Sequence, residues 1–543
     1  MAFIVDETTI ILCGGPINYS DLPVGTNLSN AMIPVNGKPV IGWILDDLLA
    51  KGIQEVTVVL RDQDLRLRAF LQRAYLRRMK IKMVTLKEEG SIVQSLQAGL
   101  QDTPAGVPVQ IILGDTLIRD IFESDNDFVY VGQVDDSRRW CLVILSPKGQ
   151  IIEFIDKREG VNEGYTAIAG FYRLQHDIAL KACVEESIQC GERQISDVLR
   201  RYSQAYPIYA YPVVDWYDFG NIDHLVAARH NLVASRYFNS LTINPILNTI
   251  TKISTRTQKL TDELDWYLSL PDELKVLAPR ILSHKLVDGK LEIVQEYYGY
   301  PTLAELYVYA DLHVDTWLSI LRKVLRIHRE FYNYPGSLPI KEIEAFYLAK
   351  TWERLDELQI LDPEWVELLR RPSVFYNEKP LRGIWELYEA ISKRSHEISK
   401  KAPVYILHGD FCFSNILFDI NSQIIRLIDP RGSFGRKGIY GDIRYDLAKL
   451  RHSVHECYDY IIADMFDICE TKLGFEGQIY TNGIQQRVGD AFDQMIMEQG
   501  FDLDEIRFIE GLLFVSMLPI HHGEPRRQLM MYLTGLTLLN EVL

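Results

Sequence analysis

From Thr9 to Asp115, short apolar runs of strand length alternate with helical stretches, and this alternation constrains the fold more than any other feature of the chain. In order they read "TIILCGG", "VIGWILDDLLAKG", "EVTVVLR", "DLRLRAFLQRAYLRRM", "KIKMVTLK", "SIVQSLQAGLQD" and "VQIILGD". Continuous runs of Ile, Val and Leu suit strands buried on both faces, and intervening helices make such strands parallel. A β-rich insert, "DFVYVGQV" to "IIEFIDK", follows, and "YPIYAYPVVDWYDFGN" with the helix "IDHLVAARHNLVASRY" closes the segment. An α/β, Rossmann-like domain is expected over residues 1–235.

After Arg236 the pattern changes. "NSLTINPILNTITKIS" reads as two or three antiparallel strands, followed by the helix "TQKLTDELDWYLSL" ending at Pro271 and the hairpin "KLVDGKLEIVQEYYG". Beyond it nearly everything is expected to be helical except the stretch from "PVYILHGD" to "IIRLIDPRG". A chain of 543 residues is too long for one hydrophobic core. The expected division is 1–235, 236–300 and 301–543, an α/β domain followed by an α+β region.

Bulk charge narrows the partners. A formal net charge of -16 argues against a broad grip on nucleic acid, and no apolar run is long enough for membrane insertion. The run "RLRAFLQRAYLRRMKIK" has arginines spaced among Leu, Phe and Tyr, as on a solvated helix face. Seven scattered cysteines with no CxxC pair fit neither a disulfide framework nor a zinc site, and the N-terminus lacks the basic start of a signal peptide. A soluble, cytoplasmic protein is expected, its oligomeric state open, with a homo-oligomer among the options.

The chemistry begins at "HGDFCFSN". Phosphoryl transfer from ATP needs a base near the acceptor hydroxyl and oxygen ligands that hold Mg2+ on the phosphates. The DxxxxN spacing lets Asp410 face the acceptor while Asn415 turns toward the metal, and the strand pair "ILFDI" and "IIRLIDP" delivers Asp429 to the same loop end. With "GDIRYDLAKL", which carries Asp442 and Asp446, the region resembles the small-molecule kinases that include aminoglycoside phosphotransferases and choline kinases. That resemblance implies a bilobal protein-kinase-like domain with Asp410 as the catalytic base and Asn415 and Asp429 as metal ligands. It further implies Lys252 paired with Glu263 on the α- and β-phosphates, and the connector from Glu296 to Tyr298 offering backbone groups to adenine. The first hairpin has no glycine, so a Gly-rich lid is not legible in it and the cover over the triphosphate is left open. Phe413, Tyr440 and Tyr445 are weighed as acceptor-cavity walls, and His521-His522 as a loop near it; core packing and ordinary surface are the plainer alternatives.

Nucleotidyl transfer asks for a glycine-rich turn after the first strand and two carboxylates sharing a metal. The stretch "ILCGG" to "SNAMIPVNGKPVIGWILDDLLAKG" resembles the sugar nucleotidyltransferases. The resemblance implies nucleotide contacts at Gly14, Gly15 and Gly90, Mg2+ on Asp115 and Asp218, and Asp156-Lys157 where the family has EKP. This chain departs from the family in two places: the loop after the glycines, "GGPINYSDLP", has no arginine, and Asn30 stands at the lysine position. Lys38 and Lys157 are the candidate replacements for those cations.

Together these readings describe a bifunctional enzyme. One half would phosphorylate a small sugar or alcohol with ATP, and the other would couple the product to a second nucleoside triphosphate, as in cell-surface polysaccharide precursor (capsule) synthesis. The alternative is a single-activity kinase whose N-terminal half only binds nucleotide or serves structure; a non-catalytic scaffold is the third class.

Overall fold

The computed structural model describes residues 7–15, 28–87, 90–121, 124–134, 139–156, 165–220, 222–232, 239–255, 257–287 and 289–543. The chain forms two compact units. One contains the described residues up to Leu232 with Tyr309–Asp311; the other contains those from 239 to Val308 and Leu312–Leu543.

In the first unit the alternation read from sequence becomes β1 (Thr8–Leu12), α1 (Val40–Ala50), β2 (Glu55–Arg61), α2 (Leu65–Ala74), β3 (Lys80–Leu86), α3 (Ile92–Leu100) and β4 (Val109–Leu113). β1 pairs in parallel with β2 on one side and β4 on the other, and β2 pairs in parallel with β3. Ile10, Ile11, Val58, Val59 and Ile111 are fully buried, as strands covered on both faces require. α3 lies so close to the sheet that a Cβ on Gly99 would come within 2.7 Å of Ile10 Cγ2.

The second part of this unit adds β5 (Thr116–Ile118), β6 (Phe128–Val134), β7 (Cys141–Leu145), β8 (Ile151–Asp156), β9 (Tyr165–Leu174), the helices α4 (Asp177–Gln189) and α5 (Ile195–Tyr202), β10 (Tyr209–Pro212), β11 (Trp216–Asp218) and α6 (Ile222–Asn231). The main path of the nine-stranded sheet is β8-β7-β9-β4-β1-β2-β3, with β6 and β10 joined through β9. Winding runs outward from β1 to β3, then returns to the other side of β1 at β4. That reversal opens a crevice beyond the C-terminal ends of β1 and β4, where open α/β sheets bind ligands.

The second unit opens with a four-stranded antiparallel sheet of order β12 (Asn239–Asn244), β13 (Thr249–Ser254), β15 (Lys290–Glu296), β14 (Ile281–Val287). α7 (Thr257–Ser269) packs Leu260 and Leu264 against Leu291 and Ile293. Leu260, Glu263, Leu264 and Tyr267 are all buried, at the spacing of one helix face. Helices α8 (Val314–Glu330), α9 (Ile340–Tyr347) and α10 (Ala349–Leu361) follow.

The expectation of helix throughout the remainder needs correction. β16 (Ser373–Tyr376), β17 (Lys379–Arg382), β22 (Phe466–Glu470) and β23 (Phe475–Ile479) form a second four-stranded sheet, with order β17-β16-β23-β22. Between β16 and β17 both Asn377 and Glu378 have positive φ, the tight hairpin geometry that no helix-length periodicity announces. The expected β stretch is present as β18 (Val404–Ile406), β19 (Ile416–Asp419), β20 (Ile424–Leu427) and β21 (Tyr440–Asp442). α11 (Arg444–Val454), α12 (Leu503–Ser516) and α13 (Pro525–Val542) each present a long buried face to the core.

Candidate active sites

In the second unit, the antiparallel pairing of β19 with β20 sets Ile416 opposite Leu427, so the segments before and after this hairpin emerge together. They are also tied directly: Ile428 N–H donates to Asn415 O (3.0 Å) and Arg431 N–H donates to His408 O (2.9 Å). Asn415 Nδ2 donates to Asp410 Oδ2 at 3.0 Å and to the Asp410 carbonyl at 2.9 Å. Asp429 has φ +55, a left-handed conformation rare outside glycine, and its N–H donates to Tyr267 Oη at 3.1 Å.

Lys252 lies on β13 with its ammonium 2.8 Å from Glu263 Oε1 and hydrogen-bonded to Asp429 Oδ1. Burial disfavours the charge on Lys252, yet the carboxylates of Asp429 and Glu263 raise its pKa well above the ordinary lysine value. A buried cation between two anions is the arrangement that keeps it charged at low solvent access. Lys252, Glu263 and Asp429 are therefore one cluster.

Around Asp410 sequence reading missed a partner. Lys449 of α11 approaches Asp410 Oδ1 at 2.9 Å. Burial pushes the Asp410 carboxyl up, but Lys449 and, more weakly, His408 and Arg431 hold it below the usual carboxylate range. Every residue of α11 is buried, so a lysine within it has to find an anion. Asp446, three residues earlier and fully buried, accepts from His408 N–H and Gly409 N–H, both at 2.8 Å. Burial raises its pKa to about 7. Gly409 has φ +79 with Arg431 Cβ packed where a side chain would go, so glycine is needed there. His408 is buried, with its pKa lowered by burial to about 4, and Trp266 beside it donates to Leu407 O (2.7 Å). His408 thus braces the loop as a neutral ring.

Glu296 N–H donates to Arg280 O (3.0 Å) and Tyr297 N–H to Asn248 O (2.8 Å), so these two donors are spent inside the sheet. The Glu296 carboxylate accepts from Tyr298 Oη at 2.8 Å, and Arg426 lies over the Tyr298 ring. Phe413 packs between Tyr307 and Trp317 in the core, which removes it as a cavity wall, whereas Tyr440 is partly exposed.

In the first unit the β5–β11 ribbon places Asp218 opposite Thr116, next to Asp115 at the end of β4. A Cβ on Gly220 would stand 3.2 Å from Asp218 Oδ1 and 3.4 Å from Asp115 Oδ2, so both carboxylates border one point. Burial, then the charge of Asp218, raises the Asp115 pKa to about 6. Two oxygen donors in such a place, one of them electrostatically frustrated, fit a hard divalent cation that takes its other ligands from phosphate and water.

Gly14 and Gly15 follow β1 at the same crevice, and Asn30 N–H donates to Gly15 O at 3.3 Å. Asn30 Nδ2 donates to Asp115 Oδ2 at 3.3 Å, so the amide occupies the place of a cation. Lys38 does not supply that cation: it pairs with Asp46 and lies over the Trp43 ring. Gly90 precedes a completed capping box, in which Ser91 N–H donates to Gln94 Oε1 (2.7 Å), so that donor is already used. Lys157 and the loop 16–27 lie outside the described residues. Asp218 also meets His224, whose Nδ1 is 2.6 Å from Oδ2, a contact the sequence did not suggest.

Residues 9–235 match the nucleotidyl transferase family. The UTP–glucose-1-phosphate uridylyltransferase 2 of Staphylococcus saprophyticus subsp. saprophyticus is 26% identical over 243 residues, covering 37% of this chain and 82% of that protein. A glucose-1-phosphate thymidylyltransferase of Actinoplanes sp. is 24% identical over 202 residues, covering 35% of this chain and 66% of that protein. Among solved structures, a CTP:phosphocholine cytidylyltransferase from Streptococcus pneumoniae aligns with TM-score 0.35 and 14% identity over 41% of this chain and 98% of its own. The N-terminal part of the chain carries a nucleotidyltransferase domain.

Proposed function

We propose that the chain is a bifunctional enzyme: its second unit transfers the terminal phosphoryl of ATP to a sugar or alcohol, and its first unit joins that phosphate to a nucleotide with release of pyrophosphate. The observation that carries the reading is the meeting of Lys252, Glu263 and Asp429 beside Asp410, Asn415 and Lys449, groups drawn from five separate stretches of chain.

Phosphoryl transfer is mainly a matter of positioning and charge neutralisation. Asp410, kept ionised by Lys449, would orient the acceptor hydroxyl and take its proton. Lys252, fixed by Glu263, would bind the α- and β-phosphates. Asn415 and Asp429 offer the oxygen donors that suit Mg2+, which when bound neutralises charge on the phosphates.

In the first unit, an oxygen of the acceptor phosphate would attack the α-phosphorus of the second nucleoside triphosphate. The bond to the bridging oxygen breaks and pyrophosphate leaves. Asp115 and Asp218 would hold Mg2+, and Gly14 and Gly15 allow the backbone to approach the triphosphate. The relatives' names point to a sugar 1-phosphate as the acceptor and to a pyrimidine nucleotide as the donor.

A second reading, kinase activity alone, draws on two observations: Asn30 in place of a lysine and Lys38 spent on Asp46. Following ADP and pyrophosphate separately distinguishes the readings. With Mg2+, ATP, a second nucleoside triphosphate and a competent acceptor, the bifunctional enzyme releases both. Asp410→Asn abolishes ADP and spares pyrophosphate release from pre-phosphorylated acceptor, and Asp115→Asn does the reverse. ADP without pyrophosphate for every nucleotide favours the second reading.

A further inference from the structure

The ground beside Asp410 is unusually basic. Lys350 on α10 projects over the Phe346 ring, 4.2 Å from its centroid, and lies 5.6 Å from that of Tyr445. Arg431 stands 5.0 Å from the same Phe346 centroid and donates from Nη1 to Tyr445 Oη at 3.3 Å. Tyr445 is one helical turn before Lys449, which holds Asp410. Phe346 is itself fixed against Phe434 and Tyr445, so these cations rest on a rigid aromatic floor.

Among the described residues, no carboxylate lies within ion-pair distance of Lys350 or Arg431, while Lys449 has Asp410 alone. Asp446, whose oxygens both accept from backbone N–H groups, also acts electrostatically on Lys449 but forms no ion pair with Lys350 or Arg431. Lys350 and Arg431 therefore stand beside the Asp410–Lys449 pair, and among the described residues neither has a carboxylate of its own. The cost of this arrangement falls on Lys350: burial, followed by the charges of Arg431 and Lys449, lowers its pKa well below the ordinary lysine value, with Asp410 opposing. A partly buried site with surplus positive charge is completed by an anion.

We propose that the phosphate acceptor of the second unit is itself anionic, a sugar or polyol bearing a carboxylate or phosphate group that Lys350 and Arg431 bind while Asp410 faces its hydroxyl. This rests on the kinase reading above and narrows it. An amino alcohol or aminosugar carried into this site would bring a further ammonium beside Lys350 and Arg431.

The test uses the full-length protein with Mg-ATP and matched acceptors: a hexose, its amino sugar, its uronate and its phosphate. ADP release is followed for each, and nucleotide affinity is measured separately by titration. Turnover of the uronate or the phosphate, with kcat/KM at least about tenfold above the neutral parent, is expected, and the two arms tell carboxylate from phosphate recognition. Lys350→Met should raise the acceptor KM by roughly 10- to 100-fold and leave the KM for ATP within about threefold, with Lys350→Arg restoring much of the loss. Equal or better turnover of the neutral or amino sugar overturns the proposal and leaves the kinase reading standing. So does a Lys350→Met effect confined to ATP, or ATP binding with no turnover of any anionic member. Absence of ATP binding overturns both.

Discussion

Asp446→Asn isolates the support beneath the proposed catalytic loop. The Asp446 carboxylate is fully buried and accepts two backbone hydrogen bonds, from His408 and Gly409, at 2.8 Å each. An asparagine keeps one acceptor oxygen but turns an NH2 group toward the other donor, leaving that N–H unsatisfied at a cost of about 1–3 kcal/mol. If this loss appears wholly as misplacement of Asp410, kcat for ADP release falls roughly 5- to 150-fold at about 1.4 kcal/mol per tenfold. The KM for ATP should barely move, because Lys252 is held on β13 and Glu263 on α7 rather than on this loop.

The pH dependence adds an independent sign. Burial raises Asp446 from 3.8 to about 7, so wild-type kcat should decline as pH falls through about 7 and one acceptor is lost. Stability linked to this group runs the other way: with the folded-state pKa raised, its contribution is fully present below the unfolded value of 3.8 and lost as pH rises through about 7. Activity and this contribution to stability therefore diverge on acidification, and the asparagine variant should lack the acid limb. The assay is coupled ADP release from pH 6 to 9 with a parallel thermal melt. A variant with kcat within threefold of wild type and an unchanged acid limb would refute the reasoning.

Asn30→Lys places an ammonium beside Asp115 and should raise pyrophosphate release about tenfold or more if the missing cation limits transfer; steady-state assay decides it, and no gain removes that explanation. Asp218→Asn relieves the repulsion that raises Asp115, so the Asp115 pKa should drop below about 6 in an NMR titration while nucleotidyl transfer falls by ~10²-fold or more. Lys252→Ala leaves Glu263 buried without its cation and should weaken ATP binding and lower the melting temperature together; calorimetry and a thermal melt measure both. Gly99→Ala forces a methyl to within 2.7 Å of Ile10 Cγ2 and should cost about 1–3 kcal/mol in denaturant unfolding of the first unit.

What could be read from sequence was whatever is encoded locally. Buried parallel strands announce themselves as unbroken runs such as "TIILCGG" and "VQIILGD", and the DxxxxN loop carries its own spacing. Lys252 on a strand and Glu263 on a helix could be matched only through the resemblance to the small-molecule kinases. Pairings between distant segments left no such trace. Lys449 with Asp410 and Asn30 with Asp115 are settled by tertiary packing, and Lys38, expected as a replacement cation, pairs instead with the nearby Asp46. At the Glu296–Tyr298 connector, sequence does not show that neighbouring segments take the N–H groups of Glu296 and Tyr297. The β16–β17 hairpin escaped notice because four-residue strands are too short to display a period.

The most direct test follows a single phosphorus atom through both sites. With ATP labelled at its γ-phosphorus, a second unlabelled nucleoside triphosphate and an accepted sugar or polyol, the label should appear in the sugar-side phosphate of the nucleotide-linked product, with unlabelled pyrophosphate released. Label that stops at the phosphorylated acceptor for every nucleotide supplied, or that never leaves ATP, contradicts the account.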